Sequence, residues 1–214
     1  MKLSFKILIC FLTILKCSSA MTILCRYLNY IDNYNCEVRN KQIFTGDRVS
    51  IEKAVGQHIE GKTNDDVQSI EIINACNLTY FPSNINEVFK NLFKIAITYT
   101  SLTEITSNDL KVFPKLKVLY FGWNKIEDIR EDTFNFNPKL EEIYLEGNKI
   151  SHIDSKSFSD LKFLKVLDLE ENICRFQRQF EVLEIVRKIE EGFCFLDKFT
   201  TTLNALSAND ENRK

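Results

Sequence analysis

From Leu92 onward, apolar residues recur at fixed places in a frame of 24 residues. LFKIAITYTSLTEI starts at Leu92, LKVLYFGWNKIEDI at Leu116, LEEIYLEGNKISHI at Leu140 and LKVLDLEENIC at Leu164. In each, apolar residues hold positions one, four and six, and a polar residue holds position nine. Positions eleven and fourteen are apolar wherever the unit continues, until Cys174 takes position eleven of the last. Positions three to seven alternate, which predicts a short strand at the head of each unit. Its inward side chains are Ile95, Ile97, Leu119, Phe121, Ile143, Leu145, Leu167 and Leu169, and Leu110, Phe134 and Phe158 supply a further anchor later in the unit. A fifth copy fits upstream around SIEIINACNLTYF, where a strict 24-residue step puts Glu71 inward and calls for a bulge or a shifted register.

One such unit cannot cover its own inner face, whereas a stack of near-copies buries a continuous core. Position nine holds Thr100, Asn124, Asn148 and Asn172, where the chain turns away from the strand. An inward amide there is expected to bond backbone groups of its own and the next turn. With these features the sequence resembles the leucine-rich repeat family of the 24-residue extracellular type, over roughly residues 67–174. The resemblance implies an α/β fold, a curved right-handed solenoid with a parallel β-sheet on its concave side, and a binding protein rather than an enzyme. CRYLNYIDNYNCEV and VGQHIEGKTNDDVQSIEI resemble the N-terminal caps of secreted insect members.

The ends of the chain read differently. Lys2 and Lys6, an apolar run from Ile7 to Leu15, and Ser18, Ser19 and Ala20 read as a secretory signal cleaved after Ala20. The run falls short of the roughly 20 apolar residues that span a bilayer, and no second one follows, so no stable membrane insertion is expected. The predicted organisation is a signal over 1–20, an N-terminal cap over 21–66, about five repeats over 67–174, a helical C-terminal cap over 175–199 and a polar tail over 200–214, disordered at its end. Cys10 and Cys17 leave with the signal, and five of the seven cysteines remain. Cys25 and Cys36 flank an aromatic segment that suits a stapled hairpin. Phe180, Leu183, Val186 and Ile189 recur at helical spacing, so a helix laid over the last repeat would bring Cys194 to Cys174. Cys76 is left over at position nine of the first repeat, open to three readings: a buried thiol, an interchain disulfide or another intrachain pairing. Asn77-Leu78-Thr79 is a glycosylation sequon.

On the concave side, Val118 and Tyr120 face away from the core, and Trp123 takes position eight at the rim. Tyr99 and Gly147 share its column, and Tyr144 is the counterpart of Tyr120. Tyr99, Tyr120, Trp123 and Tyr144 are therefore expected to form one aromatic patch, with Gly122 and Gly147 keeping the adjoining surface low. Glu142, Glu146, Asp168, Glu170 and Glu171 add a negative field beside it. Rings beside charges suit a protein-binding surface or a cationic ligand; equally, strands favour aromatics that merely stack. The formal charge of −2, falling to −5 without the leader, and the lack of a basic run argue against nucleic acid. His58 and His152 form no local metal pair, no calcium loop accompanies the acids, and no phosphate loop or nucleophile elbow occurs. No catalytic residue, metal or cofactor is implied. The expected protein is secreted and extracellular, binding a protein or other macromolecule; a self-associating matrix component is the alternative, so a homo-oligomer stays open.

Overall fold

The computed structural model describes residues 19–31, 33–38, 43–44, 48–174, 181–192 and 194. The leader and polar tail lie outside these residues, except that Ser19 and Ala20 open the first strand. Among the described residues one eight-stranded sheet dominates. Its members are β1 (Ser19–Asn29), β2 (Tyr34–Val38), β3 (Val49–Val55), β4 (Ser69–Ile73), β5 (Lys94–Thr98), β6 (Val118–Tyr120), β8 (Glu142–Tyr144) and β10 (Val166–Asp168). The order is β10-β8-β6-β5-β4-β2-β1-β3. From β2 to β10 every neighbour is parallel, as coils stacked in one direction require; only the β1–β2 hairpin runs antiparallel. β7 (Asp128–Ile129) and β9 (His152–Ile153) pair separately on the return limb of adjacent coils. Short helices α1 (Ile85–Val88) and α2 (Ser107–Leu110) occupy the same limb in earlier coils.

The alternation in each strand is borne out. Ile95, Leu119 and Ile143 pair in register and are buried, as are Ile97, Phe121, Leu145, Leu167 and Leu169. Burying each such side chain stabilises by about 1.5–3 kcal/mol, and only a neighbouring coil can provide the cover. Leu110, Phe134 and Phe158 close the other side, the two phenylalanine rings stacked at 5.4 Å.

The buried amides tie the coils together, but backwards rather than forwards along the chain. Asn148 donates to Phe121 O of the preceding coil at 2.9 Å and to Leu145 O of its own at 3.0 Å, and accepts from Ile126 N–H. Asn172 repeats this with Leu145 O, Leu169 O and Ile150 N–H. Asn124 donates to Ile97 O and accepts from the Thr100 hydroxyl. Each coil thus satisfies carbonyls that its predecessor leaves inside.

The first repeat has the shifted register that Glu71 called for, and it corrects the placement of Cys76. Ile70 pairs with Ile95 and Ile72 with Ile97, a 25-residue step, so Ile70 and Ile72 point inward and Glu71 outward. The 24-residue spacing resumes at Leu78, which is buried like Leu102 and accepts a bond from Ser101 N–H as Leu102 does from Lys125 N–H. Between the two registers lies one extra residue. Position nine falls to buried Ala75, and Cys76 is pushed out to solvent, not buried beneath the turn. Asn77, the sequon residue, is exposed beside it.

Both caps carry the expected disulfides, Cys25–Cys36 and Cys174–Cys194. Cys25–Cys36 joins the two strands of the hairpin. Behind it, Tyr27 stacks on His58 at 3.7 Å, and burial pushes the Tyr27 hydroxyl up to about 12. At the other end α3 (Val182–Glu190) lies against the last coil. Its inward face is Val182, Ile185, Val186 and Ile189, a spacing of three and four residues. Leu183, expected in that face, is 84% exposed, because it projects roughly a quarter turn away. Phe180 lies outside the described residues.

Asn148→Ala is expected to destabilise the fold by about 1–3 kcal/mol, because Ile126 N–H is left buried and unbonded, while Phe121 O and Leu145 O each keep a bond, from Asn124 and Asn172. Exposed Asn135→Ala is expected to change stability by less than about 0.5 kcal/mol. Urea unfolding of both variants checks this difference.

Candidate functional site

The concave face is organised by the residue at which each coil leaves its strand. Asn74, Tyr99, Trp123, Gly147 and Glu171 occupy position eight of successive coils, with φ of 56°, 55°, 59°, 64° and 53°. The left-handed conformation is therefore a requirement of the turn and not an accident of one residue. Each N–H but the last donates to the carbonyl one strand over: Asn74 to Thr98, Tyr99 to Gly122, Trp123 to Glu146 and Gly147 to Glu170. Glycine meets this requirement freely and asparagine at low cost, whereas a bulky side chain costs roughly 1–2 kcal/mol. Three of the five carry neither: Glu171, Tyr99 and the chain's one tryptophan, Trp123.

Those two rings stack, Tyr99 on Trp123, with centroids 5.7 Å apart and planes 3° from parallel. The indole continues onto the backbone of Gly147, where a β-carbon would lie 2.7 Å from Trp123 Cδ2. Tyr99 and Trp123 remain 54% and 41% exposed. Tyr120 and Tyr144 form a second stack at 4.2 Å and 6°. At its N-terminal side Lys94 Nζ sits 4.9 Å from the Tyr120 centroid and pairs with Glu71 at 3.1 Å. At its other side the Tyr144 hydroxyl donates to Glu142 Oε2 at 3.1 Å; burial first, then Tyr120 and Glu142, holds that hydroxyl above its ordinary value.

The four aromatics thus form two stacks instead of one sheet of rings, and the glycines do not leave low ground. Glu146, at position seven, lays its carboxylate over Gly122, with Oε1 2.2 Å from where a β-carbon would stand. Its Oε2 is enclosed and makes no hydrogen bond among the described residues. Burial, followed by the negative charges of Asp168, Glu170 and Glu171, raises the Glu146 carboxyl above its ordinary value. Glu142, Asp168 and Glu170 are half-buried on the same face, and Asp168 Oδ1 accepts from Glu170 N–H at 3.0 Å. Among the described residues no group of acids, histidines and cysteines converges to hold a metal ion. A lysine-lined cavity lies off this face; a search for basic runs misses it, because its lysines come from different coils.

Glu146 holds its proton more tightly folded than unfolded, so its contribution is present below its unfolded value and is lost as pH rises through the folded one. Glu146→Gln is therefore expected to melt above the parent at pH 7, with the difference shrinking as pH falls through the raised folded value toward 4.5 and absent below it. Thermal melts across that range decide it, and a variant less stable than the parent at pH 7 contradicts the sign.

The leucine rich repeat family model matches residues 90–150 and again 114–173. No curated protein matches the chain. Among solved structures, a chain of the Toll–Spatzle complex from Drosophila is 22% identical, covering 69% of this chain and 19% of that one, with a TM-score of 0.46. A chain of the TLR13–ssRNA13 complex is 20% identical over 58% of this chain and 18% of its own, with a TM-score of 0.43. A chain of the octameric complex of Latrophilin 3, Unc5D and FLRT2 is 16% identical over 51% and 39%, with a TM-score of 0.36. The chain spans about a fifth of the first two. The family matches fall on the coils whose parallel register and asparagine ladder are described above, so residues 90–173 are leucine-rich repeats and the fold is a leucine-rich repeat solenoid.

Proposed function

We propose that this chain is a secreted recognition module that binds a protein or other macromolecular partner through the two aromatic stacks and acids of its concave face. The observation that carries the reading is the placement of Tyr99 and Trp123 in left-handed turns. Asn74, Gly147 and Glu171 meet the same requirement in the other coils, so the fold itself has no need of large rings. Strained residues held in place by rigid surroundings cluster at binding sites. Exposed aromatics of low rotamer freedom, framed by charge, make strong anchors. The two disulfides fit an oxidising, extracellular setting, and the leader supports secretion. Innate immunity or extracellular signalling follows from the family resemblance. Nucleic acid stays among the partner classes, because lysines from different coils make a basic surface without a basic run.

The exposure of Cys76 favours one alternative, a self-associating matrix protein joined through that thiol. Affinity capture from the native extracellular fluid separates the two. Replacing Tyr120, Trp123 and Tyr144 by Ala is expected to abolish capture while circular dichroism stays unchanged. Undiminished capture by the triple variant contradicts the concave-face reading. Oligomers on non-reducing gels that vanish in Cys76→Ser establish the matrix alternative.

A further inference from the structure

A second surface lies where the chain enters each strand, away from the aromatic stacks. It is a cavity of about 710 Å³ whose lining includes Lys62, Lys115, Lys117 and Lys139. Lys115 and Lys139 both stand one residue before position one, in consecutive coils. Parallel stacking sets their backbones side by side, at about 4.8 Å. Like charges so placed repel unless an anion lies between them.

The partners of these lysines are unequal. Lys117 Nζ donates to Glu141 Oε1 at 2.7 Å, and Glu141 also accepts from Lys165; the two ammonium groups hold its carboxyl down to about 2. Among the described residues Lys115 meets only the neutral Asn91 Oδ1, at 2.7 Å. Lys139 has neither an ion pair nor a hydrogen bond among the described residues. On the opposite wall Lys62 donates to Asn29 Oδ1 at 2.7 Å and lies 4.3 Å above the Tyr34 ring. The cavity therefore holds three cationic groups that form no ion pair among the described residues, and two of them, Lys115 and Lys139, stand together on the wall away from Asp65 and Asp66.

The remaining lining limits what fits. Asp65 and Asp66 stand on the Lys62 side. Asp66 accepts from the N–H and hydroxyl of Thr63, which hold its carboxyl below the usual range. Half-buried Phe93 lies in the same column as Gln68 and Lys117. One wall thus attracts an anion, the other offers acceptors for hydroxyl groups, and a flat apolar ring lies between. A polymer with a charge on every unit would press some of its charges against Asp65 and Asp66. A ligand with its charge at one end and hydroxyls at the other meets complementary groups throughout.

We propose that this cavity binds a short anionic saccharide. Lys115 and Lys139 hold its sulfate or phosphate ester, Phe93 lies under a sugar ring, and Asp65 with Gln68 accepts from or donates to its hydroxyls. The volume suits one to a few rings, within the range of about 300–1,000 Å³ for small-ligand sites. This site is independent of the concave-face reading and survives its failure.

Calorimetric titration of the full secreted chain at about 0.15 M salt tests the proposal, since nonspecific attraction is then largely screened. The probes are a sulfated heparin disaccharide, its unsulfated counterpart, a hexose 6-phosphate and a short oligouridylate. At least one of the two charged saccharides is expected to bind, and the stronger of them identifies the ester; the unsulfated sugar is expected not to bind. Lys115→Gln with Lys139→Gln is expected to weaken binding by about tenfold or more. Lys125→Gln with Lys149→Gln removes equal charge from exposed positions outside the cavity and is expected to change affinity less than about twofold. Lys139 is exposed and Lys139→Gln alone removes no hydrogen bond or ion pair among the described residues, so its loss of binding is not a loss of structure. The proposal is overturned if neither charged saccharide binds, if both double variants weaken binding equally, or if oligouridylate binds more tightly than either.

Discussion

Every coil turns through a left-handed residue and then sends a short side chain toward the interior, polar in four of the five. The strand ends by position seven, the chain reverses its twist at position eight, and the side chain at position nine is buried at Ala75 and the three asparagines and half-buried at Thr100. Three of the five coils place an asparagine there, which bonds the coil before it as well as its own turn. This two-residue corner fixes where the backbone leaves the sheet. It therefore fixes the parallel register, the shared apolar interior and the columns of side chains on the wet side. The first coil shows what happens when the corner is altered. Ala75 brings no amide, one extra residue enters, and the surplus emerges at Cys76.

The candidate binding face follows from the same corner. Since position eight is exposed and aimed across the sheet rim, whatever stands there is displayed. Two coils display rings, and the next supplies Gly147 so that the indole can lie flat on its backbone. Gly122 does the same for the Glu146 carboxylate. These are pairings between adjacent coils: a residue lacking a side chain in one is filled by a long side chain of the other. They bring a half-buried acid between two aromatic stacks and beside three further carboxylates, a setting that discourages its ionisation and favours an incoming cation.

The strand alternation, the inward residues, the hairpin disulfide and the closing disulfide were legible from spacing alone, because apolar period and cysteine position follow directly from burial. Relations between coils were not. Glu71 signalled that the first frame was wrong, but only the pairing of Ile70 with Ile95 locates the extra residue at the turn, and with it the exposure of Cys76. Gly122 and Gly147 read as bare ground because a sequence does not say which neighbour reaches across. Leu183 was assigned to the buried face of α3 because a rough helical period does not separate it from Val182 and Ile185. The lysine cavity escaped because Lys115 and Lys139 are distant in the chain and adjacent only in the stack. Their shared place in the 24-residue frame was the available signal.

The central claim is that Tyr99 and Trp123 stand at their corners for a partner and not for the fold. Equilibrium unfolding of the double variant Tyr99→Asn with Trp123→Asn tests it most directly, since asparagine is what the first coil uses at this position. Losing the stack costs about 0.5–1.5 kcal/mol, some apolar cover goes with it, and relief of left-handed strain offsets much of the loss. The account predicts a variant within about 2 kcal/mol of the parent. A loss above about 4 kcal/mol, the scale of a deleted core aromatic, would show that the rings hold the solenoid together and would contradict the account.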